Sequence, residues 1–246
     1  MKASLLFSLC WFSTIVFAQT SSLQAHYFVE VEKFISQDGE LRKVATLPYE
    51  GILQIKNARS ISYLRPLYLS EYPEGRIELN KNGLLRSVHV SLDTMQSVYS
   101  INLDSLLFRA CFGSGIAGAS GVHSLFTFER GCRAWQIFPE TKEINGILCQ
   151  RAVEMSASSD KAAQIWFAPD ISAQVGPMGI MDAPGLVYEA YFPSIATRWK
   201  LREFIAGSDI SDAVFWPRIF NSPSRFINHL RKYKGETGIV QVRTTQ

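Results

Sequence analysis

The strongest constraint in this sequence is residues 164–192, QIWFAPDISAQVGPMGIMDAPGLVYEAYF. Both ends alternate as strands do. Ile165 and Phe167 interleave with Gln164 and Trp166; Leu186, Tyr188, Ala190 and Phe192 interleave with Val187, Glu189 and Tyr191. Between them stand Pro169, Gly176-Pro177, Gly179 and Pro184-Gly185. Proline fixes φ and removes a backbone donor, and glycine opens φ > 0. Punctuation this dense excludes a helix and specifies one particular loop between two strands. The loop is also apolar, with Ile171, Val175, Met178, Ile180 and Met181, which a solvated connector would not need.

The rest of the chain reads mostly as strands. Tyr27, Val29 and Val31 alternate with Glu30 and Glu32, and residues 51–69 hold one or two strands. Residues 76–79 and 84–92 flank Asn82-Gly83, a strong hairpin signal. Residues 96–103, 123–129, 198–204 and 210–216 read as further strands, and residues 104–108 as a helical turn. One helix is expected near the C-terminus. Ser222 is placed as its N-cap and Pro223 at its first position; Phe226, Ile227 and Leu230 form a face, and Gly235 stops it. The tail after Gly238 is expected to be loose.

Residues 133–155 form a hairpin whose register decides a disulfide. With the turn between Glu140 and Thr141, Cys132 lies opposite Cys149 at bridging distance and Cys111 is left over. A competing register, with Asn145-Gly146 as the turn, separates the two cysteines.

The leader argues for export. Lys2 precedes an apolar run at residues 5–17, and Val16 and Ala18 offer small side chains for cleavage before Gln19. The run is too short to span a bilayer. Leu9 before Cys10 does not suit a lipoprotein signal. The net charge of +3 is small and its basic residues are scattered, which gives no basis for nucleic-acid binding.

Two places resemble a known family. Trp166, Phe167, Ala168, Pro169, Asp170 and Ile171, then Gly176-Pro177, then the run Asp182 to Val187, are similar to the hallmark of the GLPGLI family of exported Bacteroidota proteins. Trp135, Ile137, Ile144, Gly146, Cys149, Arg151 and Ala152 resemble a second family run. Ala168, Ser172, Asp182, Ala183 and Val187 depart from the hallmark. The family is named for a motif, so the resemblance implies a place rather than a reaction. It implies an exported periplasmic or envelope-associated accessory protein that assists TonB-dependent transport at the outer membrane, with an envelope protein or apolar ligand as partner.

The chemistry-bearing residues are sparse. His26, His89, His123 and His229 have no neighbour at metal-ligand spacing, and no cofactor is expected. The run Gly113 to Gly118 fits G-x-G-x-x-G, but a strand rather than a helix follows it, so a loop is the better reading. Cys111 with His123 is a possible nucleophile pair, and Glu30 with Glu32 a solvated pair of carboxylates.

The sequence therefore predicts a leader over residues 1–18 and one mainly β domain over residues 19–246. Its curved antiparallel, half-barrel-like sheet would carry a C-terminal α-helix. The leading function is non-enzymatic binding. A hydrolase assembled from distant strands, or a metal-handling protein using Met and His, are the alternatives. Two readings compete for the hallmark loop. In one it caps the open end of the sheet, over Trp166 and Leu186. In the other Met178, Ile180 and Met181, with Trp166, Pro184, Gly185 and Leu186, form an apolar docking surface.

Overall fold

The structure, a computed structural model, describes residues 22–37, 39–81, 84–114, 123–155, 158, 160–234 and 239–241. The expected leader, the Asn82-Gly83 turn, residues 115–118 of the glycine run and the last five residues lie outside them.

Fifteen strands form among the described residues: β1 (Ser22–Gln37), β2 (Glu40–Lys56), β3 (Arg59–Pro66), β4 (Arg76–Lys81), β5 (Leu84–His89), β6 (Gln96–Asn102), β7 (Leu107–Ser114), β8 (His123–Phe128), β9 (Trp135–Ile144), β10 (Ile147–Glu154), β11 (Gln164–Ala168), β12 (Leu186–Phe192), β13 (Thr197–Ala206), β14 (Ser224–Leu230) and β15 (Ile239–Gln241). Thirteen make one sheet in the order β14-β8-β7-β6-β3-β2-β1-β13-β12-β11-β10-β9-β15, and β4-β5 form a separate hairpin. All pairs are antiparallel except the two at the edges, β14 with β8 and β15 with β9.

The connection from β8 to β9 forces this sheet to curl. The two strands stand ten positions apart in the order, which would be about 48 Å in a flat sheet. From Phe128 to Trp135 there are only seven Cα steps, at most about 25 Å of chain. The expected curved β architecture is therefore present, and its two ends are brought together at a seam.

Alternation decides the two faces. Ala25, Tyr27 and Val29 of β1 are fully buried inside. The strands β6 and β7 are buried on both faces. Tyr99, Ile101, Phe108 and Ala110 pack in one cluster, and Val98 and Cys111 in another. The second cluster is completed by Ile210 and by Phe215, Ile219 and Phe220, the last three carried on short 3-10 turns at Asp212–Phe215 and Arg218–Asn221. These turns replace the strand expected over residues 210–216. Lys56 and Arg59 pin the segment through Asp212, at 3.0 and 2.9 Å. At the other end of the sheet, Gln96 donates to Asp93 O and to the Tyr68 hydroxyl, which itself donates to Ser91 O. This network ties the β4-β5 insertion down so that Ile77, Leu79 and Val88 join the main core.

The C-terminal α-helix is not formed. The segment is β14, and no α-helix occurs among the described residues. Ser222 does not cap a helix: its hydroxyl donates back to Ile219 O at 2.6 Å. Pro223 O accepts the His123 N–H, and the strand then pairs with β8 from Ser224 to Leu230. Ser, Phe, Ile, Asn and His are modest helix formers, whereas the open edge of β8 offers a row of unpaired backbone groups. The tail also adds β15 to the opposite edge rather than staying loose.

The hairpin register is the competing one. Ile144 pairs with Ile147 across Asn145-Gly146, whose φ of 52° and 78° suit a two-residue turn of the primed kind. Cys149 lies opposite Lys142, and Cys132 lies before β9 in a different cluster. Both are unbridged thiols. Pro139, next to the expected Glu140-Thr141 turn, sits where the register shifts between Gln150 and Ala152, a bulge that tolerates a missing donor.

Burial holds the Cys132 and Cys149 thiols protonated, up to about 11 from an ordinary 9.0. Burial also raises the phenols of Tyr27, Tyr49 and Tyr99. Each raised acid keeps its proton longer folded than unfolded, so its stabilisation is complete below pH 9 and declines as pH rises. The melting temperature is therefore expected to fall progressively from pH 9 to 11, read by circular dichroism. Peptide mapping without reductant should recover Cys132 and Cys149 unlinked.

Candidate functional site

The hallmark loop lies inside the curl. Val175 and Met181 form an isolated bridge and pack in the cluster of Tyr99 and Phe108. Met178 N–H donates to Ser62 Oγ on β3 at 3.0 Å, and Met181 O accepts from Trp135 Nε1 on β9 at 3.1 Å. Gly179, at φ 75°, sits where an added Cβ would lie 2.8 Å from the Phe108 ring. The loop thus bridges β3, β6, β7 and β9 from within.

Its last polar residue reaches the seam. The Asp182 carboxylate accepts from Gly131 N and Arg133 N, both at 3.1 Å, and lies 3.8 Å from Cys132 Sγ. Asp182 holds φ 54°, in the left-handed region that a short polar side chain tolerates. Arg133 in turn pairs with the buried Glu154.

These placements bear on the two readings of the loop. Ile180, Met181, Gly185 and Leu186 are buried, and only Trp166, Met178 and Pro184 retain partial exposure. The loop packs within the curl, and four of the seven residues are buried. Gly185 is required for closeness rather than for positive φ: a Cβ there would lie 2.2 Å from Ala168 O.

Cys111 and His123 are near neighbours, one step beyond the β7–β8 pair Ala110 and Ser124. Both are buried, and the Phe220 ring lies 5.1 Å from His123. Burial, then the charge of Arg109, holds the imidazole below its ordinary pKa. Its Nδ1 lies 3.4 Å from Ser222 Oγ. His26 is half-buried in a network, 2.7 Å from Gln24 and 2.8 Å from Glu50, which also pairs with Arg65. Glu32 pairs with Lys43. Among the described residues no cluster of three His, Cys, Asp or Glu side chains could hold a metal.

The sequence did not signal the arrangement at the C-terminal edge. Thr127 Oγ1 lies 2.8 Å from His229 Nδ1, and His229 Nε2 lies 3.2 Å from Glu129 Oε1. This hydroxyl–imidazole–carboxylate row resembles a nucleophile relay in connectivity. It stands on an open surface, however, with imidazole and carboxylate about half exposed, outside the desolvated setting that gives such groups their power. Its mechanical role is clear: it clips β14 to β8. Thr127 on β8 and Glu129 just past its end come to flank His229 only once β14 lies beside β8.

No family model matches the chain, and no curated protein matches it. Solved structures of PNGF-II in two crystal forms are similar at 10% and 11% identity, with TM-scores of 0.46 and 0.44. The likeness covers 85% and 84% of this chain but only 31% and 30% of the other, so the chain spans about a third of their length. No helix among the described residues is long and apolar enough to cross a membrane.

Gly185→Val should cost about 3 kcal/mol or more, because the clash is with backbone that cannot rotate away. Urea unfolding reads it. Met178→Asp with Met181→Asp should unfold the domain, since Met181 is 1% exposed and a carboxylate there would be buried unpaired. A folded double variant would reopen the docking surface.

Proposed function

We propose that this protein is an exported, envelope-associated binding protein of accessory type, acting without catalysis. The observation that carries the reading is β14. It ends the sheet, pairs on one side only among the described residues, and is exposed almost throughout. Phe226 and Ile227 are 59% and 46% exposed on it. An open strand edge with apolar side chains is a surface to which an extended partner segment can add. The register shift between Phe226 and Asn228 limits such pairing to a short segment.

The sequence supports the compartment. Lys2, the apolar run and Ala18 have the form of a cleaved leader, and the hallmark loop resembles that of exported proteins. A second surface of the same kind is the β1–β2 ribbon. It extends past the last β13 pair at Val31 and the last β3 pair at Tyr49, and carries Phe34 and Leu41 at 42% and 76% exposure.

The test uses the native host. A photo-crosslinking residue at position 226 should give one discrete adduct in the envelope fraction, and the recovered protein should begin at Gln19. An uncleaved cytoplasmic protein, or adducts no more frequent than from exposed Glu78, would defeat the reading. Ester hydrolysis abolished by Thr127→Ala would replace it with the hydrolase alternative.

A further inference from the structure

The chain that follows β14 forms a second feature, independent of the edge. Residues 229–234 read as a charge run of the sort that is usually a solvated tail. Here the run is fixed. Glu129 N–H donates to Leu230 O at 2.9 Å, Lys232 N–H to the Glu129 carboxylate at 3.0 Å, and Tyr233 N–H to Gly131 O at 3.0 Å. The three bonds hold the run against the β8–β9 connection. Its side chains line an open cleft of about 930 Å³ with Glu129, His229, Arg231, Lys232, Tyr233 and Lys234.

The charge in this cleft is unbalanced. Among the described residues, Arg231, Lys232 and Lys234 form no salt bridge. Among the described residues that line it, the one carboxylate, Glu129, already accepts the Lys232 N–H and lies against His229. Those partners, the Lys232 N–H first, hold it below the ordinary carboxylate range. It remains an anion, but one carboxylate faces three cations and an imidazole. A guanidinium offers a planar fork of donors, and two ammonium groups offer point charges. Together with the Tyr233 hydroxyl this donor set suits an anion with several oxygens rather than a lone carboxylate.

We propose that the cleft binds a phosphate-bearing ligand, with Arg231, Lys232 and Lys234 holding the phosphate oxygens. The volume exceeds that of a phosphate group alone and leaves room for the organic part of an ester. A soluble phosphomonoester and a phospholipid headgroup present the same chemistry here. This inference does not rest on the partner edge at Phe226.

The purified protein would be titrated with inorganic phosphate and with glycerol 3-phosphate by two-dimensional NMR. It would also be co-sedimented with vesicles of phosphatidylglycerol and, separately, of phosphatidylcholine. Saturable shifts of residues 229–234 are expected with the soluble probes. Replacing Arg231, Lys232 and Lys234 together by Gln should weaken binding at least about tenfold, with an unchanged circular dichroism spectrum. The remote double variant Arg76→Gln, Lys200→Gln should bind as the parent does, which separates a built site from net charge. Binding of soluble esters alone assigns a soluble ligand. Added retention on phosphatidylglycerol but not phosphatidylcholine assigns an anionic headgroup. Absence of saturable binding to every probe overturns the proposal, as does equal weakening in the remote variant.

Discussion

A six-residue connection governs this fold. Residues 129–134 join strands that a flat sheet would hold far apart, so the thirteen strands can pair only if the sheet closes on itself. Closure creates two problems at once. The interior must be filled, and the seam must be held. One stretch meets both, because the loop of residues 169–185 fills the interior with Val175, Ile180 and Met181 and reaches the seam with Asp182. Its proline and glycine content follows from that task. A chain that must thread between sheet walls needs tight backbone approaches, as at Gly179 and Gly185, and loses less freedom on ordering at each proline.

How far this was legible depends on whether the signal was local. Strand alternation and the curved β class follow from residue patterns within a few positions of each other. The hairpin of β9 and β10 shows a local signal misjudged. Pro139 and Asn145-Gly146 both punctuate the run, and the Asn-Gly pair wins because its two left-handed residues fit the twist of the flanking strands. Pro139 then needs only a bulge. The cysteine pairing failed with the register on which it was built.

The C-terminal segment shows the other kind of failure. Ser222, Pro223 and an apolar spacing compatible with a helix made a consistent local case. Nothing within the segment reveals that β8, a hundred residues earlier, presents an unpaired edge. Backbone hydrogen bonds to an existing strand outweigh a weak helix propensity, particularly over a length at which an isolated helix is marginal. The relay of Thr127, His229 and Glu129 was hidden for the same reason, since it exists only once β14 lies beside β8.

That arrangement also bears on where the proposed recognition would lie. Both faces of β6 and β7 are covered, and the interior is occupied by the chain's own loop and by the β4-β5 insertion. A ligand entering the main core would have to displace Met181 or Leu186, which are packed against several strands. The segment from β14 onward is different. It is attached to the edge by one ladder, one clip, two backbone bonds and the Lys232 N–H to the Glu129 carboxylate, and it presents Phe226 and Ile227 first and a row of cations next. Burial of apolar area and attraction of an anion are separable terms, and here they fall on consecutive stretches of one strap. A partner that engaged the edge would bring its own surface beside the basic cleft, so a phosphate-bearing group on or near it would gain from proximity rather than from new contacts.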